Sequence, residues 1–350
     1  MKHVLQIHMT NQCNLKCPYC YIHQNDKKIS LDGLKKQIEH IQELSLRIDE
    51  FFDGEYDVTY FGGEPLIEYN NILLFDKYLK ENLNIVHSFI QTNGILLNQN
   101  IKNELGKRNI HVGISCDGCD DKNHKYIEQL YKNKIVEMNP KMMVSNYNVS
   151  DLMKNIVYFY KLAMNNQIDN FYIDVSFVKD NIWDEKSLGI LKQQLNSLYD
   201  FIVMNYDSYH RWIYIGFVEK ILQNIKNGKR NYVCFAGSSG FSLTPEGIIY
   251  PCSRFYTNHE YPLFDSNKNL FFEDNIQFIK SMNTTVDDKC NKCVLNQFCN
   301  HGCLYSQIKN DGIVDGYCEV LKMCFHMVTD LYKYMKNKYN INILERVNGN

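Results

Sequence analysis

The chain has 350 residues, a net charge of −2, 45% hydrophobic and 22% charged residues. That balance fits a folded globular protein and, with no basic block, excludes nucleic acid or an anionic membrane as the main partner. No run approaches the length of a membrane span, and the apolar run before Cys13 is too short and broken for a signal peptide, so a soluble cytoplasmic protein is expected.

Taken in order, Val4–Met9 reads as a strand that leads into the cysteine-bearing stretch Asn11–Tyr21. Leu31, Leu34, Ile38, Ile41 and Leu44 recur at helical spacing, so Leu31–Glu50 is expected as one amphipathic helix. Asp57–Phe61 is a β-prone run ending in GGEP. Asn70–Leu83 reads as helix, Val86–Gln91 as a strand ending in TNG, Ile101–Arg108 as helix, and Ile110–Cys116 as a strand ending in DG. Further strands fall near Lys141–Ser145 and Phe171–Phe177, with helices between. Strand and helix thus alternate about six times. The expected fold is α/β, a parallel sheet curled into a partial (β/α)6 barrel like a TIM barrel, with the special residues at the C-terminal ends of strands.

From about Val178 to Asn231 the pattern changes to helices at Glu185–Tyr206 and Phe217–Asn227. From Cys234 regular periodicity fades, and that region is expected to be held by metal more than by an apolar core. Val320–Tyr339 reads as a closing helix. The expected domains are residues 1–178 (barrel), 179–231 (helical bridge), 232–325 (cysteine-rich) and 326–350 (closing helix and tail).

Thirteen cysteines are many for such a chain, and they fall in tight clusters. Without an export signal, metal ligation accounts for them better than disulfides. Cys13, Cys17 and Cys20 have the spacing CxxxCxxC within eight residues. Three thiolates fall short of the four ligands of a tetrahedral zinc site and suit a four-iron cluster with one iron left open.

The segment CNLKCPYC resembles the signature of the radical S-adenosylmethionine (SAM) enzymes. The resemblance implies that Cys13, Cys17 and Cys20 hold a [4Fe–4S] cluster whose open iron binds the amino and carboxylate groups of SAM, with Tyr19 near the adenine. Gly62, Gly63, Glu64 and Pro65 resemble the family's GGEP turn, which meets the SAM amino group. Thr92 and Asn93 of QTNG, and Ser115 and Asp117 of SCDG, resemble positions lining the SAM site and the substrate cavity. Each motif alone is weak, since GGEP also makes a plain turn and SxDG a helix cap. Their order, each at a strand end, is what carries the resemblance.

The C-terminal cysteines, Cys234, Gly247-x4-Cys252, Cys290-x2-Cys293-x5-Cys299-x3-Cys303 and Cys318, resemble the SPASM domain of peptide-modifying radical SAM enzymes. By position, the resemblance gives Cys234, Cys252 and Cys303 to a first auxiliary [4Fe–4S] cluster. It gives Cys290, Cys293, Cys299 and Cys318 to a second, making three clusters with SAM as the further cofactor. Structural zincs are the alternative, because CxxC pairs suit zinc as well. Some relatives place one more cysteine just before the Cys234 position. No cysteine lies between Cys119 and Cys234 here, so the first auxiliary cluster is expected either to keep an open iron that a substrate thiolate could bind or to be closed by a non-cysteine ligand.

Three cysteines remain. Cys116, between Ser115 and Asp117, is expected as a buried inert thiol, and Cys324 as core. Cys119, just past a strand end, is either a loop cysteine or a hydrogen-atom donor to a substrate radical, as in peptide epimerases. His301 is expected to be structural. Ser253 and Arg254 follow Cys252, where sulfatase-maturing relatives carry an acidic residue resembling a catalytic base.

The resemblance implies a peptide maturase acting on a ribosomally made precursor (RiPP), with a crosslink as product and a thioether foremost. Its alternatives are a sulfatase-type maturase forming formylglycine, a peptide epimerase, and a zinc-held scaffold without catalysis. Expected partners are the precursor peptide and a flavodoxin- or ferredoxin-type electron donor. Cys13 stands too near the start for a leader-binding domain ahead of the barrel, so a separate leader-binding protein is a further expected partner, unless the barrel binds the peptide itself.

Overall fold

The computed structural model describes residues 2–135, 139–168, 171–228, 234–285 and 287–346. Strands and helices alternate as the periodicity leads one to expect. β1 (His3–Thr10) is followed by α1 (Leu31–Ile38) and α2 (Ile41–Ile48), and β2 (Glu55–Gly62) by α3 (Tyr69–Asn82). β3 (Asn84–Thr92) is followed by α4 (Gln99–Lys107), β4 (Ile110–Ser115) by α5 (His124–Lys132), and β5 (Pro140–Val144) by α6 (Leu152–Asn165). β6 (Tyr172–Phe177) leads to the long α7 (Glu185–Tyr209), then β7 (Tyr214–Ile215) and α8 (Gly216–Asn227). β8 (Gly240–Leu243), β9 (Ile248–Tyr250), α9 (Ser253–Thr257), β10 (Phe264–Asp265), β11 (Leu270–Phe271) and α10 (Glu273–Thr284) follow. The chain ends with α11 (Asp288–Asn291), α12 (Leu304–Lys309) and α13 (Asp315–Tyr339). Among the described residues, no helix is long and apolar enough to cross a membrane.

Two units divide the chain: Met1–Ile114 with Cys234–Thr285, and Ser115–Val233 with Val286–Asn350. In the first, β1, β2, β3 and β4 pair in parallel in sequence order. Successive side chains of a strand point to opposite faces. On β2, Tyr56, Val58 and Tyr60 are fully buried toward the helices. Their hydroxyls explain the fit: Tyr56 meets Ser45 of α2 at 3.2 Å, and Tyr60 donates to Asp76 of α3 at 3.3 Å. The α/β fold with a parallel sheet is the one expected, with most element ends within two or three residues of the sequence reading.

Two expectations are corrected. The single helix over Leu31–Glu50 is two helices, broken at Glu39–His40, where His40 takes φ −111° and ψ 3°. The His40 ring packs instead against Phe264 at 4.8 Å. No proline or glycine marks the break, so the apolar period runs through it unseen.

The second correction concerns residues beyond Cys234. They have a core of their own: Phe241, Leu243, Ile249, Phe255, Leu263, Phe264, Ile276 and Ile279 are all buried. β8 pairs in parallel with β1, from Val4 opposite Gly240 to Ile7 opposite Leu243, and β9, β10 and β11 add antiparallel to it. Gln37 of α1 ties down the β8–β9 turn, accepting from Thr244 N–H at 3.0 Å and donating to its carbonyl at 3.1 Å. Strands of two to four residues carry too little alternation to be read from sequence.

In the second unit β5, β6 and β7 pair in parallel. α7 opens on a reciprocal cap between Asp184 and Ser187. Near its end, Asp207 accepts hydrogen bonds from Tyr334, Lys338 and Tyr339 of α13. These donors pull the Asp207 carboxyl down to about 2.

Candidate functional site

The loop bearing Cys13, Cys17 and Cys20 leaves the C-terminal end of β1, and its backbone rests on the end of β2. Gly63 N–H donates to Thr10 O at 2.8 Å, and Glu64 N–H to Gln12 O at 2.8 Å. The two glycines make this approach possible. A β-carbon on Gly62, which has φ +136°, would lie 2.4 Å from Thr10 O, and one on Gly63 would lie 2.1 Å from Gln12 O. The GGEP turn therefore serves as the seat of the cysteine loop.

Glu64 points inward. It is fully buried, and its carboxylate accepts from Thr92 Oγ1 at 2.7 Å, Asn93 N–H at 2.8 Å and Leu66 N–H at 3.0 Å. Burial pushes its carboxyl upward, and the three donors oppose that shift. The side chain thus fastens the end of β2 to the end of β3. This role was not visible in the sequence, where Glu64 read only as part of a nucleotide-facing turn.

Asn93, so placed, donates to Asn14 Oδ1 at 2.7 Å and lies 3.9 Å from Cys13 Sγ. Leu15 N–H also donates to Cys13 Sγ, at 3.4 Å. Hydrogen bonds to ligand sulfurs are one of the means by which a protein tunes a cluster. Cys13 and Cys17 are half-buried, Cys20 and Tyr19 exposed, and none of the three cysteines forms a disulfide. Cys13, Cys17, Cys20, Tyr19, Gly62, Gly63, Glu64, Pro65, Thr92 and Asn93 all belong to the first unit.

His8, two residues before the end of β1, is fully buried, edge-on to Phe61 at 5.3 Å and to Tyr256 at 4.7 Å. Neither ring nitrogen has a hydrogen-bond partner among the described residues. Burial pulls its pKa from 6.5 to about 3. The unfolded chain therefore takes up a proton that the folded chain refuses, and stability falls as pH drops below 6.5 toward 3. By about pH 5.5 the loss is on the order of 1 kcal/mol. His8→Phe is expected to remove that part of the pH dependence, read as the difference in thermal midpoints at about pH 7.5 and about pH 5.5. Parallel curves for wild type and variant would contradict it.

Ser115, Asp117 and Cys119 belong to the second unit. Asp117 Oδ1 accepts from Met143 N–H of β5 at 2.8 Å, so part of its carboxylate fixes the sheet. Ser115 O accepts from Asn123 at 2.7 Å. Asn155 donates to Asp117 O at 2.7 Å and accepts from the Cys119 thiol at 3.5 Å. Cys119 stays half-buried. Cys116 is buried, its thiol is pushed upward by desolvation, and it donates to Gly118 O at 3.6 Å, as expected of an inert thiol. Cys324 is likewise buried core.

The C-terminal cysteines divide between the units. Cys234 and Cys252 lie in the first and Cys290, Cys293, Cys299, Cys303 and Cys318 in the second. Those last five line one cavity of about 160 Å³, with Lys179, His301 and Tyr317. The set Cys290, Cys293, Cys299 and Cys318 is thereby brought together, and Cys303 shares its cavity. His301, at φ 57°, turns the Cys299–Cys303 loop and is held by Asn296 Oδ1 at 3.0 Å, a structural role as expected. In the first unit, the buried Asn283 clamps the Cys234 turn, accepting from Cys234 N–H at 3.1 Å and donating to Cys234 O and Ala236 O at 3.0 and 2.9 Å. No sequence motif marks Asn283.

Residues 7–170 match the model of the radical SAM superfamily. The chain carries a radical SAM domain. It is accordingly an enzyme. Over 90% of its length it is 28% identical to a cysteine-type anaerobic sulfatase-maturating enzyme of Clostridium novyi, covering 92% of that protein. The corresponding enzyme of Clostridium perfringens is 25% identical over 89% of this chain and 92% of its own. The radical SAM cyclopropyl synthase TigE of Paramaledivibacter caminithermalis is 25% identical over 97% of this chain and 76% of TigE. The solved structure of anSMEcpe with bound AdoMet and Cp18Cys peptide shares the fold, with a TM-score of 0.70 at 20% identity, covering 96% of this chain and 99% of that one.

Radical SAM enzymes carry a [4Fe–4S] cluster, and the donor set here fits one. In such a cluster each thiolate binds a different iron, so the sulfurs surround a volume and need not converge on a point. Among the described residues, no three His, Cys, Asp or Glu side chains converge as a single metal ion would require. The half-buried and exposed thiols of the N-terminal loop suit such a cluster.

Proposed function

We propose that this radical SAM enzyme is a peptide maturase that crosslinks a ribosomally made precursor, with a thioether as the favoured product. Cys13, Cys17 and Cys20 would hold the SAM-binding cluster. Tyr19, Gly62, Gly63, Glu64, Pro65, Thr92, Asn93, Ser115 and Asp117 would shape the SAM site, and in this reading Glu64 acts through Thr92 and Asn93. Cys234, Cys252 and Cys303 would hold one auxiliary cluster, and Cys290, Cys293, Cys299 and Cys318 another. With its clusters bound, such a site delivers one electron to the SAM sulfonium, giving methionine and a 5′-deoxyadenosyl radical that takes hydrogen from the substrate. The chain's own part is to orient SAM through a seated loop and to keep stray hydrogen donors away.

The observation that supports this most is the span of the likeness. It runs over about nine-tenths of the chain, through both cysteine-rich regions, to proteins named as maturases and to TigE. The formylglycine reading is second, favoured by those same names. Against it stands Ser253 directly after Cys252, where an acid would be wanted as base. Ser253 Oγ is taken up by Tyr21 Oη at 3.1 Å and Gln6 Oε1 at 3.4 Å.

Mass spectrometry after anaerobic turnover with reductant and SAM separates the readings. A cysteine-bearing precursor encoded beside the gene is expected to lose two hydrogens and its free thiol while keeping its sulfur. A sulfatase peptide that loses its cysteine sulfur in favour of an aldehyde would overturn the crosslink reading.

A further inference from the structure

The short helix α9 starts at Cys252 and docks through two hydroxyls onto the loop that holds Cys13, Cys17 and Cys20. Tyr21, next to Cys20, meets Ser253 Oγ, next to Cys252, at 3.1 Å. Asn11, two residues before Cys13, donates to Tyr256 Oη at 2.8 Å, one turn of helix after Cys252. Tyr256 Oη in turn donates to Glu246 Oε1 at 3.3 Å, and Lys27, whose carbonyl accepts from Asn11 N–H, pairs with that same carboxylate oxygen at 2.9 Å. Asn11, Tyr256 and His8 are all buried. Two side-chain bonds thus join segments more than 230 residues apart, each beside a cysteine of a different set.

We infer that Tyr21 and Tyr256 are positioning residues whose hydroxyls hold the Cys252 ligand in fixed register with the Cys13–Cys20 loop. The inference rests on the proposal that Cys252 ligates an auxiliary cluster. Between Cys13 and Cys20 the main chain closes a turn, with Cys20 N–H donating to Cys17 O at 3.1 Å. Gly62 and Gly63 seat the start of the loop, and Asn11–Tyr256 and Tyr21–Ser253 brace its two ends. The Tyr256 ring packs without its hydroxyl, edge-on to His8, and Glu246 keeps Lys27 when the phenol is lost; Tyr21 is exposed. Phenylalanine at either position should leave the fold standing and release only the register.

The test is the relaxation of the electron spin on the N-terminal cluster of the reconstituted, reduced holoenzyme. A neighbouring reduced cluster speeds that relaxation steeply with proximity. In the Tyr21→Phe/Tyr256→Phe double variant, the microwave power for half-saturation is expected to fall several-fold at unchanged iron content, with each single variant between. Ser253→Ala, which cuts the Tyr21 bond from the other side, is expected to act like Tyr21→Phe, and Ser253→Thr to restore wild-type behaviour. A purely structural weakening would lower the thermal midpoint and leave the saturation curve in place. Unchanged saturation in the double variant and in Ser253→Ala would overturn the inference. Cys252→Ala separates the two levels. If it loses iron and slows relaxation while the tyrosine variants change nothing, the inference alone falls. If it leaves both iron and relaxation untouched, Cys252 holds no cluster, and the inference falls with the reading beneath it.

Discussion

Gly63→Ala is expected to lower reductive SAM cleavage by at least ~100-fold, because the new methyl group displaces the cysteine loop from its seat. A β-carbon at Gly63 would stand 2.1 Å from Gln12 O, 2.6 Å from Gln12 C and 2.9 Å from Asn11 O. These are backbone atoms and cannot swing aside as the end of a side chain could. Either the loop moves or the turn does, and in both cases the Glu64 N–H to Gln12 O bond is lost. A shift of about 1 Å at a reacting centre is enough for a loss of that size. Iron should be lost from the N-terminal set and retained by the C-terminal cysteines, as counted by iron analysis of the variant beside Cys13→Ala/Cys17→Ala/Cys20→Ala. Gly106→Ala serves as the control. It lies in α4 with nothing within 4 Å of its added carbon, and it should leave cleavage unchanged. Equal activity of Gly63→Ala and Gly106→Ala would refute the seating argument.

The second large effect belongs to Glu64. Glu64→Leu leaves Thr92 Oγ1, Asn93 N–H and Leu66 N–H facing a hydrocarbon in a fully buried place. At roughly 1–3 kcal/mol for each buried donor left unpaired, destabilisation of roughly 3–5 kcal/mol is expected once partial relaxation is allowed. Glu64→Gln should fall between, since its amide keeps one acceptor but turns a donor toward another donor. The ends of β2 and β3 would come apart first. Asn93 would then lose its place beside Cys13 and Asn14, so SAM affinity should drop more than the auxiliary iron content. Denaturant unfolding and SAM titration of the two variants check the order Leu worse than Gln worse than wild type.

What could be read in the sequence was what lies close together along it. CNLKCPYC shows its chemistry within eight residues, and the strands β1 to β6 announce themselves by apolar runs, of which β2, β3 and β4 end in GGEP, TNG and DG. The break at Glu39–His40 could not be read, because nothing in the local sequence marks it and the ring that His40 packs against, Phe264, lies more than two hundred residues away. The strands β8 to β11 are too short for a period, and only their pairing onto β1 and one another reveals them. Glu64 shows the same limit within the site. Its motif was plain, but whether its carboxylate faces a ligand or the interior depends on where the end of β3 lies. Asn283, Asn11 and Tyr256 carry no motif, and their work becomes visible only through bonds to Cys234 and across the cysteine loop.

One measurement bears most directly on the claim that Cys13, Cys17 and Cys20 form the radical-generating centre served by the rest of the chain. Anaerobically reconstituted wild-type protein and the Cys13→Ala/Cys17→Ala/Cys20→Ala variant are each given reductant and SAM, and 5′-deoxyadenosine and methionine are quantified by chromatography. The wild type is expected to release both in equal amounts. The variant should release neither, while still holding iron at its C-terminal cysteines. Release of 5′-deoxyadenosine by the variant, or none from wild type with its iron in place, would contradict the account.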